Sequence, residues 1–152
     1  MATTFHQLTT DWNADPNVPD PSVEVTGGSI ILRFWLNCWR FERFNEGDWG
    51  QIVFEDCSRY RLGRTNDEGW YMGQCRFSGK APEWGEFFEI EGDLLLDVMP
   101  PDRFGDKKPL EWTTVSDLPP SGSRHFLFYF RDETFECDAT NWMLTFHSEK
   151  RP

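Results

Sequence analysis

The sequence predicts a mainly β chain: a single-domain antiparallel β-barrel or β-sandwich of about seven to ten strands with at most short helices. Three observations lead there. Twelve glycines and ten prolines cut the 152 residues into short pieces, which suits strands joined by turns. Alternating apolar and polar runs recur between those turns, and no stretch carries the apolar stripe of an amphipathic helix. The run Arg124 to Arg131 is apolar on both faces, as a central strand covered on each side would be. The length fits one domain, residues 1–152, with 1–22 an extended N-terminal segment and 148–152 a polar tail.

Taken in order, Asn13 to Ser22 holds Pro16, Pro19 and Pro21 and reads as extended, non-helical chain. Two runs flanking Gly27-Gly28, Val23 to Thr26 and Ser29 to Leu36, read as a hairpin. The alternation continues through Trp39 and Phe41 to Phe44, and a turn follows at Asn45 to Asp48. Trp49 to Leu62 is the longest strand candidate, with a bulge or bend at Glu55-Asp-Cys57 to reconcile its two halves. After the loop Gly63 to Gly69 come the run Trp70 to Phe77 and a turn at Ser78 to Pro82. Trp84 to Glu91 should put Phe88 and Ile90 inward and Glu89 and Glu91 outward, with a hairpin at Gly92-Asp93 and a return strand Leu94 to Met99. Polar loops at Pro100 to Pro109 and Pro119 to Ser123 precede the central run. Asp132-Glu133 then turns it into Thr134 to Cys137, and Asn141 to Phe146 closes the sheet. Short helices have room only at Thr4 to Trp12 and Leu110 to Leu118.

Acids outnumber bases 26 to 15, for a net charge of −11, which excludes direct binding to nucleic acid. The longest apolar stretches fall far below the roughly 20 residues of a membrane span. With no basic-then-apolar leader at Met1, the expected compartment is the cytoplasm, where Cys38, Cys57, Cys75 and Cys137 would remain thiols. The acids cluster. Asp11 to Glu24 holds four and no base, Glu83 to Asp106 eight against Arg103, and Asp132 to Asp138 four and no base. Eleven of the fifteen basic residues are arginine, several next to a ring, as in Arg33-Phe34 and Arg59-Tyr60-Arg61, an arrangement suited to stacking and ion pairing.

Chemistry is harder to find. The chain has no nucleophile elbow, phosphate loop, zinc-protease motif or dinucleotide fingerprint. Its three histidines are isolated; His125 could meet Glu133 or Glu136 across a hairpin, and His147 could approach the same rim. Carboxylate pairs such as Glu86/Glu89 are too many to single out a catalytic dyad. The chain is therefore read as non-enzymatic, with no cofactor and no metal.

The acids and the eight tryptophans point to binding. The expected contact surface is Glu83, Glu86, Glu89, Glu91 and Asp93 with Trp84 as aromatic anchor, facing a basic protein. Trp49 and Trp70, beside glycines, are the candidate ligand-facing rings. The alternatives are a DNA-mimic inhibitor of a nucleic-acid-binding protein and a small-ligand or carbohydrate-binding β domain; a homodimer is open to either. The runs Glu55 to Gly63, Asn66 to Tyr71, Trp84 to Phe88 and Phe128 to Cys137 resemble small uncharacterised acidic bacterial proteins. Such proteins are carried on mobile gene cassettes or beside toxin genes. That resemblance implies an immunity-type inhibitor of a basic toxin or nuclease and assigns no residue a role.

Overall fold

Ten strands run through the residues that the computed structural model describes, which are 3–63, 71–72, 77, 80–92, 112–117 and 122–152. They are β1 (Thr4–Gln7), β2 (Ser22–Thr26), β3 (Ser29–Trp35), β4 (Trp49–Glu55), β5 (Arg59–Gly63), β6 (Phe87–Glu91), β7 (Thr113–Thr114), β8 (Arg124–Tyr129), β9 (Thr134–Ala139) and β10 (Asn141–His147). The chain is mainly β, with two antiparallel sheets: six strands in the order β1-β6-β8-β9-β5-β7 and four in the order β10-β4-β3-β2. No helix among the described residues is long and apolar enough to cross a membrane.

The inner faces of the sheets meet in a core of rings. Phe54 of β4 lies 5.3 Å from Phe126 and 5.4 Å from Phe135, and Phe34 of β3 lies 5.2 Å from Phe128. Trp12 reaches into the same core from the N-terminal segment, stacking on Phe34 at 5.9 Å. Strand β8 sits inside the six-stranded sheet, and its alternation supplies two cores at once. Phe126, Phe128 and Phe130 face the four-stranded sheet, while Leu127 and Tyr129 join Phe77, Ala81, Phe88 and Ile90 on the opposite face. Burial on both faces is why that run shows no polar alternation.

Several expectations need correction. The run Trp49 to Leu62 is two strands, because the chain crosses between sheets at Asp56, whose φ of +49° turns the backbone where a bulge was expected. Residues 38–44 form turns: Trp39 points to solvent and Asn37 folds back on the following amides. Thr4 to Gln7 is a strand paired with β6, and residues 113–114 pair with β5, so neither expected helix forms there. Strand β10 closes the four-stranded sheet by pairing with β4, not the sheet that holds β8. Both edges of β6 are taken, by β1 and β8; the expected return strand Leu94 to Met99 lies outside the described residues, as does most of Trp70 to Phe77. The tail is also tied down. Arg151 is buried over Trp35, 4.9 Å from the ring centroid, and donates to the carbonyls of Asp20 and Arg33.

Gly50 shows how tightly the core is filled. A Cβ there would lie 2.7 Å from Cζ of Phe34, a fully buried ring with no room to withdraw. Gly50→Ala should therefore destabilise the fold by about 1–3 kcal/mol through overpacking. An unchanged urea midpoint would contradict this packing.

Candidate functional site

Two polar assemblies stand out in a fold otherwise built from rings. The first is buried on the outer face of the six-stranded sheet. His125 of β8 lies opposite Asp138 of β9, and both of its ring nitrogens are engaged: Nδ1 with Asp138 Oδ1 at 2.6 Å and Nε2 with Glu136 Oε1 at 2.7 Å. Arg61 of β5 donates to Glu136 Oε2 through Nε (2.9 Å) and Nη2 (2.5 Å), and Arg59 Nε donates to Asp138 Oδ2 at 2.6 Å. Trp112 lies against both guanidiniums, 4.0 Å from Arg59 and 5.0 Å from Arg61. Burial opposes charge on His125, but the hydrogen bonds to Asp138 and Glu136 outweigh it and raise its pKa to about 9. Burial likewise opposes the charged form of Asp138, yet His125 and Arg59 hold its carboxyl below the usual range. An imidazolium held at both nitrogens has no lone pair to accept a proton, and the cluster braces β5, β8 and β9 together through its ion pairs.

The second assembly is an open cleft of about 410 Å³. Asn13 to Pro16, Asn37, Arg40, Glu83 to Glu86 and Tyr129 to Arg131 line it. Buried polar side chains form its floor, and Thr9 continues the chain behind Glu86. Asn37 Nδ2 donates to Asn13 Oδ1 at 2.8 Å, Asn13 Nδ2 donates to Glu86 Oε1 at 3.1 Å, and Thr9 Oγ1 donates to Glu86 Oε2. Asn37 is itself fixed because its Oδ1 accepts from the amides of Trp39 and Arg40, an Asx-type turn. Arg40 Nη1 lies 3.7 Å from Glu86 Oε1, beyond a hydrogen bond. Trp84 stacks on Tyr129, ring centroids 4.5 Å apart, as the apolar wall.

The acidic surface expected from sequence is only partly assembled. Glu83, Trp84 and Glu86 meet at the cleft, but Glu86 is buried as a hydrogen-bond acceptor and is not presented on a face. Glu89 is no free surface charge, because Arg124 donates to both of its oxygens, at 2.8 and 2.6 Å, and holds its carboxyl below the usual range. Phe88 and Ile90 point into the outer core cluster, and Glu89 takes the opposite side of the strand. Glu91 is exposed, 3.7 Å from His6 at the far end of β6. Asp93 and Trp70 lie outside the described residues. Trp49, expected to face a ligand, is buried: its ring stacks on His147 at 4.3 Å and its Nε1 donates to the carbonyl of Glu149. That places His147 in the four-stranded sheet, away from His125.

No family model, curated protein or solved structure matches this chain. What the site can do therefore rests on its own geometry.

The structure also joins two acid-rich segments that are distant in sequence. Arg131 Nη1 donates to Asn17 Oδ1 at 3.2 Å, which ties the β8–β9 turn to the N-terminal segment. Glu133 has its carboxyl pushed up, first by burial and then by the charges of Asp20 and Asp132. Asp20, 3.8 Å from Arg151, and Asp132, 4.0 Å from Arg131, both act on Glu133, so the three acids form a rim next to Arg131, which itself lines the cleft. Sequence reasoning found the two segments but not their meeting. It missed Thr9, Asn13, Asn37 and Arg40 entirely.

Proposed function

We propose that this chain is a non-enzymatic acidic binding protein whose partner is a basic protein, in the manner of an immunity-type inhibitor of a basic toxin or nuclease. The observation that supports this reading is the acidic rim. Burial is the larger cause of the raised carboxyl of Glu133, and the charges of Asp20 and Asp132 add to it; a basic partner would relieve that repulsion and be steered toward it. The two sheets packed face to face serve as a β-sandwich scaffold that carries the rim on its loops. Thiols at Cys38, Cys57 and Cys137 accord with a cytoplasmic setting.

The test is an association rate. Asp132 is 71% exposed and Asp20 73% exposed, so changing them should leave the fold intact. Asp20 has a φ of +43°, which asparagine tolerates, so the variant is Asp20→Asn with Asp132→Lys. Association with a basic nuclease recovered from the host should slow by about tenfold at low salt. The difference should fade as the Debye length shrinks from about 30 Å at 0.01 M to about 8 Å at 0.15 M salt. Equal rates for both proteins across the salt series would refute the reading.

A further inference from the structure

The cleft beside the rim has a lining that recognition of a basic surface does not require, and it supports an inference separate from that reading. Asn13, Asn37 and Glu86 of that lining, and Thr9 behind Glu86, are each more than nine-tenths buried, yet none contributes to a hydrophobic core. Burying four polar groups brings little net stability even when each is paired, and any unpaired one costs about 1–3 kcal/mol. A scaffold that needed only packing would place apolar side chains there. The polar floor is held in one arrangement through contacts that span 24, 73 and 77 residues of chain, which gives it the rigidity of a preformed site.

The signs of the lining charges narrow the ligand. Asp15, Glu83 and Glu86 face the cleft together with Arg40 and Arg131. An anion would meet the three carboxylates and a cation the two guanidiniums. A hydroxyl group meets neither difficulty, because it donates and accepts at once. The geometry at the mouth has room for one. Arg40 and Glu86 stand 3.7 Å apart, too far for a direct hydrogen bond, and the Arg40 side chain is 64% exposed. A ligand hydroxyl set beside the pair, at hydrogen-bond distance from both atoms, would accept from Arg40 and donate to Glu86. Trp84, half-buried and backed by the buried Tyr129 ring stacked on it, supplies an apolar wall along the same cleft, suited to the C–H face of a pyranose ring. The volume of about 410 Å³ lies in the range of small-ligand sites.

We infer that this cleft is a saccharide-binding site, taking a neutral mono- or disaccharide with hydroxyls bridged between Arg40 and Glu86 and its apolar face on the Trp84 wall. The full chain is titrated calorimetrically with glucose, galactose, N-acetylglucosamine, maltose and cellobiose. Glycine and N-acetylarginine amide serve as the zwitterionic and cationic probes. At least one sugar should saturate with a Kd of about 1 mM, an affinity of about −4 kcal/mol that suits an open polar cleft. Arg40→Ala, at an exposed position, should weaken that sugar about tenfold without disturbing the fold, and Glu86→Gln should weaken it in parallel. Trp39→Ala, exposed and outside the lining, should leave it unchanged. The inference fails if no sugar saturates, if Arg40→Ala binds as tightly as the parent, or if only the charged probes bind. Failure here leaves the basic-partner reading standing, because that reading is measured through Asp20 and Asp132 with no sugar present.

Discussion

Glu136→Ala should lower the unfolding free energy by about 3–5 kcal/mol, the cost of breaking a buried ion pair from one side. Glu136 is fully buried, and it is the acceptor that joins β5 to β8 across β9: Arg61 from one neighbour and His125 from the other converge on its two oxygens. Removing it leaves a guanidinium and an imidazolium, each only 2% exposed, without the carboxylate that both now bond. Water cannot compensate at that depth. In a thermal scan the loss should appear as a fall in Tm of roughly 6–20 °C for a chain of this size. Asp132→Ala, at an exposed acid, should stay within about 0.5 kcal/mol of the parent. A Glu136→Ala protein that unfolds within about 1 kcal/mol of the parent would show that the brace is not closed as described.

How much of this was legible in the sequence depends on the range of the signal. The hairpin at Gly27-Gly28 is a local pattern, and it forms with Thr26 opposite Ser29. Strand β8 was legible because burial on both faces leaves its mark within eight consecutive residues. The break at Asp56 was not. Ile52, Phe54, Tyr60 and Leu62 all feed the inner core whether the chain bends within one sheet or crosses to the other, so parity carries no information on the choice. Trp49 was misplaced because a ring beside the turn at Asn45 to Asp48 was taken to be open to a ligand, whereas it starts β4 and its ring is covered by His147.

Polar sites leave even less trace. The alternation in β6 correctly separates Glu89 from Phe88 and Ile90, but alternation reports a side of the strand and not a partner. Arg124, 35 residues away, is what removes Glu89 from the acidic surface. Thr9, Asn13, Asn37 and Glu86 have no spacing in common and become a site only when the N-terminal segment lies across the start of β6. His125 with Glu136 was within reach because a hairpin brings nearby residues together. Arg61 joined them from a strand that sequence order does not place beside β9.

The same cluster should make stability fall as the solution becomes alkaline. His125 titrates near 9 in the fold, against about 6.5 for an unconstrained histidine. Its folded-state pKa is the raised one, so the folded protein holds the proton more tightly than the unfolded chain does. The stabilisation is complete below about pH 6.5 and is lost as the pH rises to about 9. A shift of that size corresponds to about 3 kcal/mol across the window. Cys137 acts in the same direction above the thiol range, since burial and the neighbouring Cys57 push its pKa up. Two measurements separate the contributions. Urea midpoints taken from pH 6 to 10 should decline through the window, and the imidazole resonances of His125 should titrate with a midpoint near 9. His6 is exposed and His147 lies at the edge of the other sheet, so neither shares these carboxylates. A His125 midpoint at or below about 6.5 would mean that burial outweighs Asp138 and Glu136, leaving the imidazole neutral and one of its two contacts without a donor proton.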